Sequence, residues 1–153
     1  MGTVEQRLEA VGRTVPDVAP PVAVYVPAVR TGNLVYTSGQ LPLVAGTLMG
    51  TGKVGAEVSP EQAGAMAAQC ALNAIAAIKA LIGDLDRVVR VVKVVGFVAS
   101  DPGFSGQPGV VNGASELLGA AFGDAGVHAR SAVGVAVLPL DAPVEVEVIV
   151  EIA

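Results

Sequence analysis

The chain has no tryptophan, one cysteine (Cys70), one histidine (His128) and only nine basic residues among 153. Each shortage excludes something. A lone cysteine cannot close an intramolecular disulfide. One cysteine and one histidine fall short of the roughly four ligands of a structural zinc site, so only carboxylates remain, and no metal is expected. Nine scattered cations against fourteen Asp and Glu give a net charge of −5 and a pI of about 4.7. That balance argues against a nucleic-acid partner, because counterion release needs clustered Lys and Arg. No uninterrupted apolar run approaches the roughly 20 residues of a membrane-spanning helix. The first residues, MGTVEQRLEAVGR, lack the basic start and apolar core of a signal peptide. The expectation is a cytoplasmic protein with neither nucleic acid nor membrane as partner.

What the chain does have is small aliphatic bulk: 52% apolar residues with only 3% aromatics, and a mean hydropathy of +0.64. A length of 153 suits a single domain, residues 1–153, with residues 1–15 as an appended N-terminal helix. So apolar a composition implies that part of the apolar surface is covered by other copies, and an oligomer is expected.

Periodicity orders the rest. Val4, Leu8 and Val11 mark a short amphipathic helix closed by Gly12. TVPDVAPP is an extended linker, and VAVYVPAVRTGNLVYTSGQL a hairpin around Thr31-Gly32-Asn33 whose Pro27 puts its first strand at an edge. PLVAGTLMGTGKVGAEV reads as a mobile loop with at most a short strand; without a Gly-Lys-Ser/Thr ending it is no phosphate loop. SPEQAGAMAAQCALNAIAAIKALIG is a helix with Ser59 and Gln62 as a capping box, Pro60 at its first position and Gly83 as its stop. Valine-dense DRVVRVVKVVGFVAS reads as a central strand. Val110, Val111, Ala114, Leu117, Leu118, Ala121 and Phe122 mark a second helix ending at Gly123. A final hairpin turning at LPLDAP completes an α+β fold, a mixed sheet with two long helices on one face.

In the last strand Val144, Val146, Val148, Val150 and Ile152 alternate with Glu145, Glu147, Ile149 and Glu151. The valines should meet the helices. In the strand before it, Arg130 shares a face with Ala132, Gly134 and Ala136. If that face is also the carboxylate face, it combines an arginine, acids and empty space, as a pocket walled by a neighbouring subunit would. The plainer reading is a solvated face on which Arg130 pairs with a glutamate.

The stretches GNLVYTSGQLP, VNG and ARSAVGVAVLPLDAPVEVEVIV resemble the reactive-intermediate deaminase family, also called YjgF or L-PSP, over residues 20–153. The resemblance implies a chorismate-mutase-like fold assembled as a homotrimer. It also implies cofactor-free hydrolysis of amino-acid enamines and imines to 2-oxo acids and ammonia in clefts between subunits. It places the carboxylate-binding arginine at Arg130, a loop tyrosine at Tyr25, a serine at Ser38, an asparagine at Asn112 and a water-positioning glutamate at Glu145. Glu147, on the same face, competes with Glu145, and the motif alone decides between them. Ala132 stands where many members have cysteine, so only its backbone amide could touch a ligand. The N-terminal helix, the longer Gly-rich loop and DPGFSGQPG mark a longer branch. His128 reads as a solvated loop residue and Cys70 as a core residue.

Two functions follow. One is the deaminase. The other is a trimeric regulatory or binding protein that holds a small carboxylate-bearing metabolite, such as a 2-oxo acid, without turnover. A ribonuclease is disfavoured by the acidity and by the lack of a histidine pair.

Overall fold

The computed structural model describes residues 2–18, 20–21 and 23–153; Met1, Ala19 and Val22, on which the expected domain start, linker and hairpin fall, lie outside the described residues. In chain order the elements are α1 (Thr3–Ala10), β1 (Ala28–Thr31), β2 (Leu34–Thr37), β3 (Leu43–Val44), β4 (Thr47–Leu48) and α2 (Pro60–Ile82). They continue with β5 (Val88–Ala99), α3 (Gln107–Phe122), β6 (Ala129–Val135) and β7 (Val144–Ile152). This is an α+β fold, with α2 and α3 packed on one face of a five-stranded mixed sheet ordered β1-β2-β7-β5-β6.

Local signals produce their elements. Ser59 accepts from the Gln62 backbone while the Gln62 side chain accepts from Ser59 N–H, closing the capping box of α2, and Gly83 at φ +83° ends it. Gly32, at φ +58°, turns β1 into β2, and β1 is an edge strand as Pro27 implied. At the start of α1, Asp86 accepts from the backbone of Thr3 and Val4 at 2.9 and 3.1 Å, which lowers its pKa and docks the helix. Val4 and Leu8 are buried there, whereas Val11 is the exposed C-cap and not part of the apolar face.

Two expectations change. The last two strands do not form a hairpin: β6 runs parallel to β5, and β7 pairs antiparallel with the other side of β5. β5 pairs through both of its edges over the same stretch, residues 93–99 with β6 and 88–98 with β7. The chain crosses its end through a 3₁₀ turn in which Leu140 and Asp141 hold φ of +59° and +58°. The Gly-rich segment is not a free loop either. Gly52 N–H donates to the Asp141 carbonyl, Lys53 pairs with the Asp141 carboxylate, and Val54 bridges to Ser100. Helix α2 has the length and apolarity of a membrane span, and most of its apolar residues are core, with Ala65, Ala80 and Leu81 exposed.

Glycine sets how closely the layers approach. A methyl group on Gly113 would sit 2.8 Å from the carbonyl carbon of Gly64 and overlap its oxygen, so α2 and α3 touch backbone to backbone. One on Gly96 of β5 would strike Val111 at 2.7 Å, so α3 lies close on the sheet. Gly113→Ala is expected to destabilise by about 1–3 kcal/mol through overpacking. Gly119→Ala, whose added methyl group meets nothing within 4 Å on an exposed helix face, should stabilise by about 0.5–1 kcal/mol. Urea unfolding at one fixed protein concentration checks the pair; shifts of the same sign would contradict this packing.

Candidate functional site

Strand β7 alternates as its sequence requires, with Val144, Val146, Val148 and Val150 buried and Glu145, Glu147 and Ile149 half-buried on the open face of the sheet. Glu145 owes its surroundings to the segment after β2. Gln40 exchanges backbone hydrogen bonds with Val146 at 2.8 and 3.0 Å, and the Thr37 hydroxyl accepts from Val148 N–H at 3.0 Å. Between them Gly39 lies against the Glu145 carboxylate, where a side chain would collide with it.

Two buried amides of α2 hold this segment from the other side. Asn73 Nδ2 donates to the carbonyls of Leu41 and Leu43, both at 3.0 Å, and Gln69 Nε2 donates to Asn73 Oδ1 at 3.1 Å. Sequence reasoning missed both, along with Gly39 and Gln40. The available signal was a Gln–Asn pair four residues apart inside an otherwise apolar helix.

Ala23, Tyr25, Ser38, Gly39, Leu41, Pro139 and Glu145 line a cleft of about 440 Å³. Three of the expected site residues therefore meet. Burial, and repulsion from Glu147 two residues along, push the Glu145 pKa up and make its carboxylate a stronger base than an exposed one. The Ser38 hydroxyl donates to the Val26 carbonyl at 2.6 Å, so its one hydrogen is spent and it offers a ligand only lone pairs. Tyr25 is 45% exposed at the rim. Cys70 lies in the core, where burial foremost and the Glu145 charge push its thiol well up; it is no nucleophile.

Arg130 is elsewhere. In register with Val94, it faces α3: Nη1 donates to Asn112 Oδ1 at 2.7 Å and Ser115 Oγ at 3.2 Å, and Nη2 to the Pro108 carbonyl at 3.2 Å. Three of five N–H donors are engaged. Among the described residues nothing takes Nε–H or the second Nη2–H, and two is the number a carboxylate takes bidentately.

This corrects the shared face: Arg130, Ala132 and Gly134 lie on the helix side of the sheet, Glu145 and Glu147 on the open side. Nor do the small residues form a pocket floor. Ala132 packs against the core, and the space beside Gly134 is filled by the Gln107 amide, so both serve the close approach of α3. Ala136 follows the end of β6. One chain thus carries two clusters: Tyr25, Ser38 and Glu145 in the cleft, and Arg130, Asn112 and Ala132 at the edge strand.

The family profile described as "YjgF/chorismate mutase-like, putative endoribonuclease" matches residues 5–152. The chain belongs to the YjgF family. Its fold is the chorismate-mutase-like fold of that family. The chain is similar to Protein TCP17 of Trypanosoma cruzi, 45% identical over 99% of this chain and 95% of the relative. It also resembles the crystal structure of a "putative endoribonuclease" of Shewanella oneidensis, at 33% identity and TM-score 0.95, over 99% of this chain and 100% of that one. RidA of an Antarctic Psychrobacter superposes less closely, at 32% identity and TM-score 0.61, over 92% and 97%.

Because the folded state raises the Glu145 pKa, ionising this group costs stability. That cost is absent below the unfolded pKa of about 4.3 and complete once pH exceeds the raised folded value. Glu145→Gln cannot ionise. Its melting temperature should gain on wild type as pH rises from about 4 to 7; a constant difference across that range would show that burial does not penalise the charge.

Proposed function

We propose that the protein hydrolyses reactive enamine and imine intermediates of amino acids to 2-oxo acids and ammonia, in clefts between the subunits of a cytoplasmic homotrimer. The observation that carries this reading is the meeting of Tyr25 and Ser38 in one cleft with Glu145, a base strengthened by burial. Assembly is supported by the open face of the sheet. There Val29, Tyr36 and Val133 are exposed, next to half-buried Val95, Phe97 and Ile149, with no layer over them among the described residues. It is supported too by the split of site residues between two faces, which a neighbouring copy would bring together.

The chemistry needs no strong nucleophile, since an imine carbon is already electrophilic. Arg130 grips the substrate carboxylate through Nε–H and Nη2–H, with Asn112 steadying the guanidinium, and the Ala132 backbone borders the same edge. Glu145 holds a water and takes its proton as the oxygen bonds to the carbon of the protonated imine, giving a carbinolamine. That proton then passes from Glu145 to the nitrogen, the C–N bond breaks, and ammonia leaves as the carbonyl forms and the hydroxyl proton returns to the Glu145 carboxylate. An enamine first takes a proton on carbon to become the imine. Tyr25 and the lone pairs of Ser38 orient water and substrate.

Ammonia release from a freshly generated 2-imino acid tests this reading. Binding of a 2-oxo acid without any acceleration of release would instead make the protein a carboxylate-binding regulator. Cleavage of RNA, the activity named for the Shewanella relative, would replace both. Glu145→Gln should keep 2-oxo acid binding and slow hydrolysis about 100-fold or more, the usual worth of a general base. If Glu147→Gln is inactive and Glu145→Gln is not, the role moves to Glu147. Arg130→Ala should weaken pyruvate binding in calorimetric titration by roughly 30-fold to several thousand-fold, as loss of one partner of a desolvated pair does. Equal binding by both proteins would make Arg130 structural. Light scattering should report three chains of 15.2 kDa per particle; a stable monomer would remove the inter-subunit cleft.

A further inference from the structure

Arg130 is gripped by more than the family motif supplies. Ser115, one turn beyond Asn112 on α3, accepts from Arg130 Nη1 at 3.2 Å and stands 2.9 Å from His128 Nε2. His128 Nδ1 is 2.6 Å from the Gly126 carbonyl oxygen. The two ends fix the direction of the chain. A guanidinium only donates, so Ser115 Oγ accepts there; a carbonyl only accepts, so His128 Nδ1 carries a hydrogen. In the neutral ring Nε2 is then bare and takes the Ser115 hydroxyl hydrogen. Hydrogen bonds thus run from Arg130 through Ser115 to His128 and end on Gly126. That end is fixed: Gly126 is buried so close to α3 that a methyl group on it would lie 3.0 Å from the carbonyl carbon of Leu118.

We infer that Ser115 and His128 are positioning residues that hold the Arg130 side chain with its Nε–H and Nη2–H edge free for a ligand carboxylate. The inference rests on the proposed role of Arg130 and deepens it. Arginine has substantial rotamer entropy to lose on fixing its side chain; a guanidinium held in advance spares the ligand that cost. Neither residue touches substrate. His128 acts through Ser115, and Ser115 through Arg130.

The chain has one histidine, so ¹⁵N-labelled protein gives a single pair of ring-nitrogen resonances. At about pH 9, where an imidazole is neutral, Nδ1 should be protonated and Nε2 bare. The Arg130 Nη signals, assigned by their loss in Arg130→Lys, should show hindered rotation that quickens in Ser115→Ala and in His128→Phe and returns in Ser115→Thr. The same two variants should weaken pyruvate binding by about three- to tenfold, the worth of one hydrogen bond. The double variant should be no weaker than the weaker single one, because both act through one chain. Melting temperature and assembly state are followed in parallel. An Nε2–H tautomer, Arg130 signals indifferent to both substitutions, or additive losses would overturn the inference. Wild type with the expected signals but no affinity for 2-oxo acids would sink the deaminase reading while leaving the positioning of Arg130 established.

Discussion

Everything at the Arg130 edge depends on three missing methyl groups. Gly113 lets α3 touch the backbone of Gly64, Gly96 lets Val111 settle onto β5, and Gly126 lets the chain leaving α3 double back beneath Leu118. These contacts fix α3 in height, in distance from α2 and at its C-terminal end. Pro108, Asn112 and Ser115, spread over two turns of that helix, are thereby delivered to the guanidinium of an edge strand. A protein interior is packed too tightly to absorb a side chain at such a point by small adjustments. The displacement would pass to α3 as a body, and with it to every partner of Arg130.

The Glu145 cleft rests on a different device. The segment from Thr37 to Leu43 is too short of apolar side chains to pack itself in place, so it is held by hydrogen bonds from both sides: the β7 backbone on one, Asn73 and Gln69 on the other. Buried amides are tolerable in a helix only where their donors find acceptors, and the Leu41 and Leu43 carbonyls provide them. Loss of Asn73 would leave the Leu41 carbonyl only the Leu43 N–H and the Leu43 carbonyl only the longer Gln69 bond, and so loosen the wall beside Gly39. The polar pair in the core thus positions the cleft without touching it.

What was legible in the sequence was what short-range physics decides. The capping box of Ser59 and Gln62, the stops at Gly83 and Gly123, the turn at Gly32 and the alternation of β7 each involve residues within a few positions of one another, and each is as read. Strand order was not legible. Valine-rich segments on both sides of LPLDAP suit a hairpin as well as two strands flanking a third, and the left-handed turn at Leu140 and Asp141 carries the chain across the end of β5 from one side to the other. The face of Arg130 followed that error, because a strand moved to the far side of β5 brings its own alternation with it. The roles of Ala132 and Gly134 were inverted for the same reason. Small residues on a strand mean space only if nothing approaches, and here α3 does. Tyr25, Ser38 and Glu145 meet although nothing in their spacing requires it; that grouping came from the family resemblance, while the Gln40 and Asn73 bonds that enforce it are long-range.

The electrostatics of the open face bear on the proposed assembly. Glu145 and Glu147 share the open face with Val95, Phe97 and Ile149 and with the charges of Lys93, Arg90 and Glu151, and Glu145 is already penalised by burial within one chain. A neighbouring subunit laid over that surface would remove more water and raise the penalty further, unless it brought positive charge with it. In the proposed trimer the neighbour's Arg130 edge would meet that need, with two donors left unused among the described residues of its own chain. A ligand carboxylate seated on those donors would cancel that relief, so binding of the anionic ligand and strengthening of the base would go together. A cleft of this kind would hold its water-activating carboxylate least basic when empty and most basic when occupied, the order that hydrolysis of a bound imine requires.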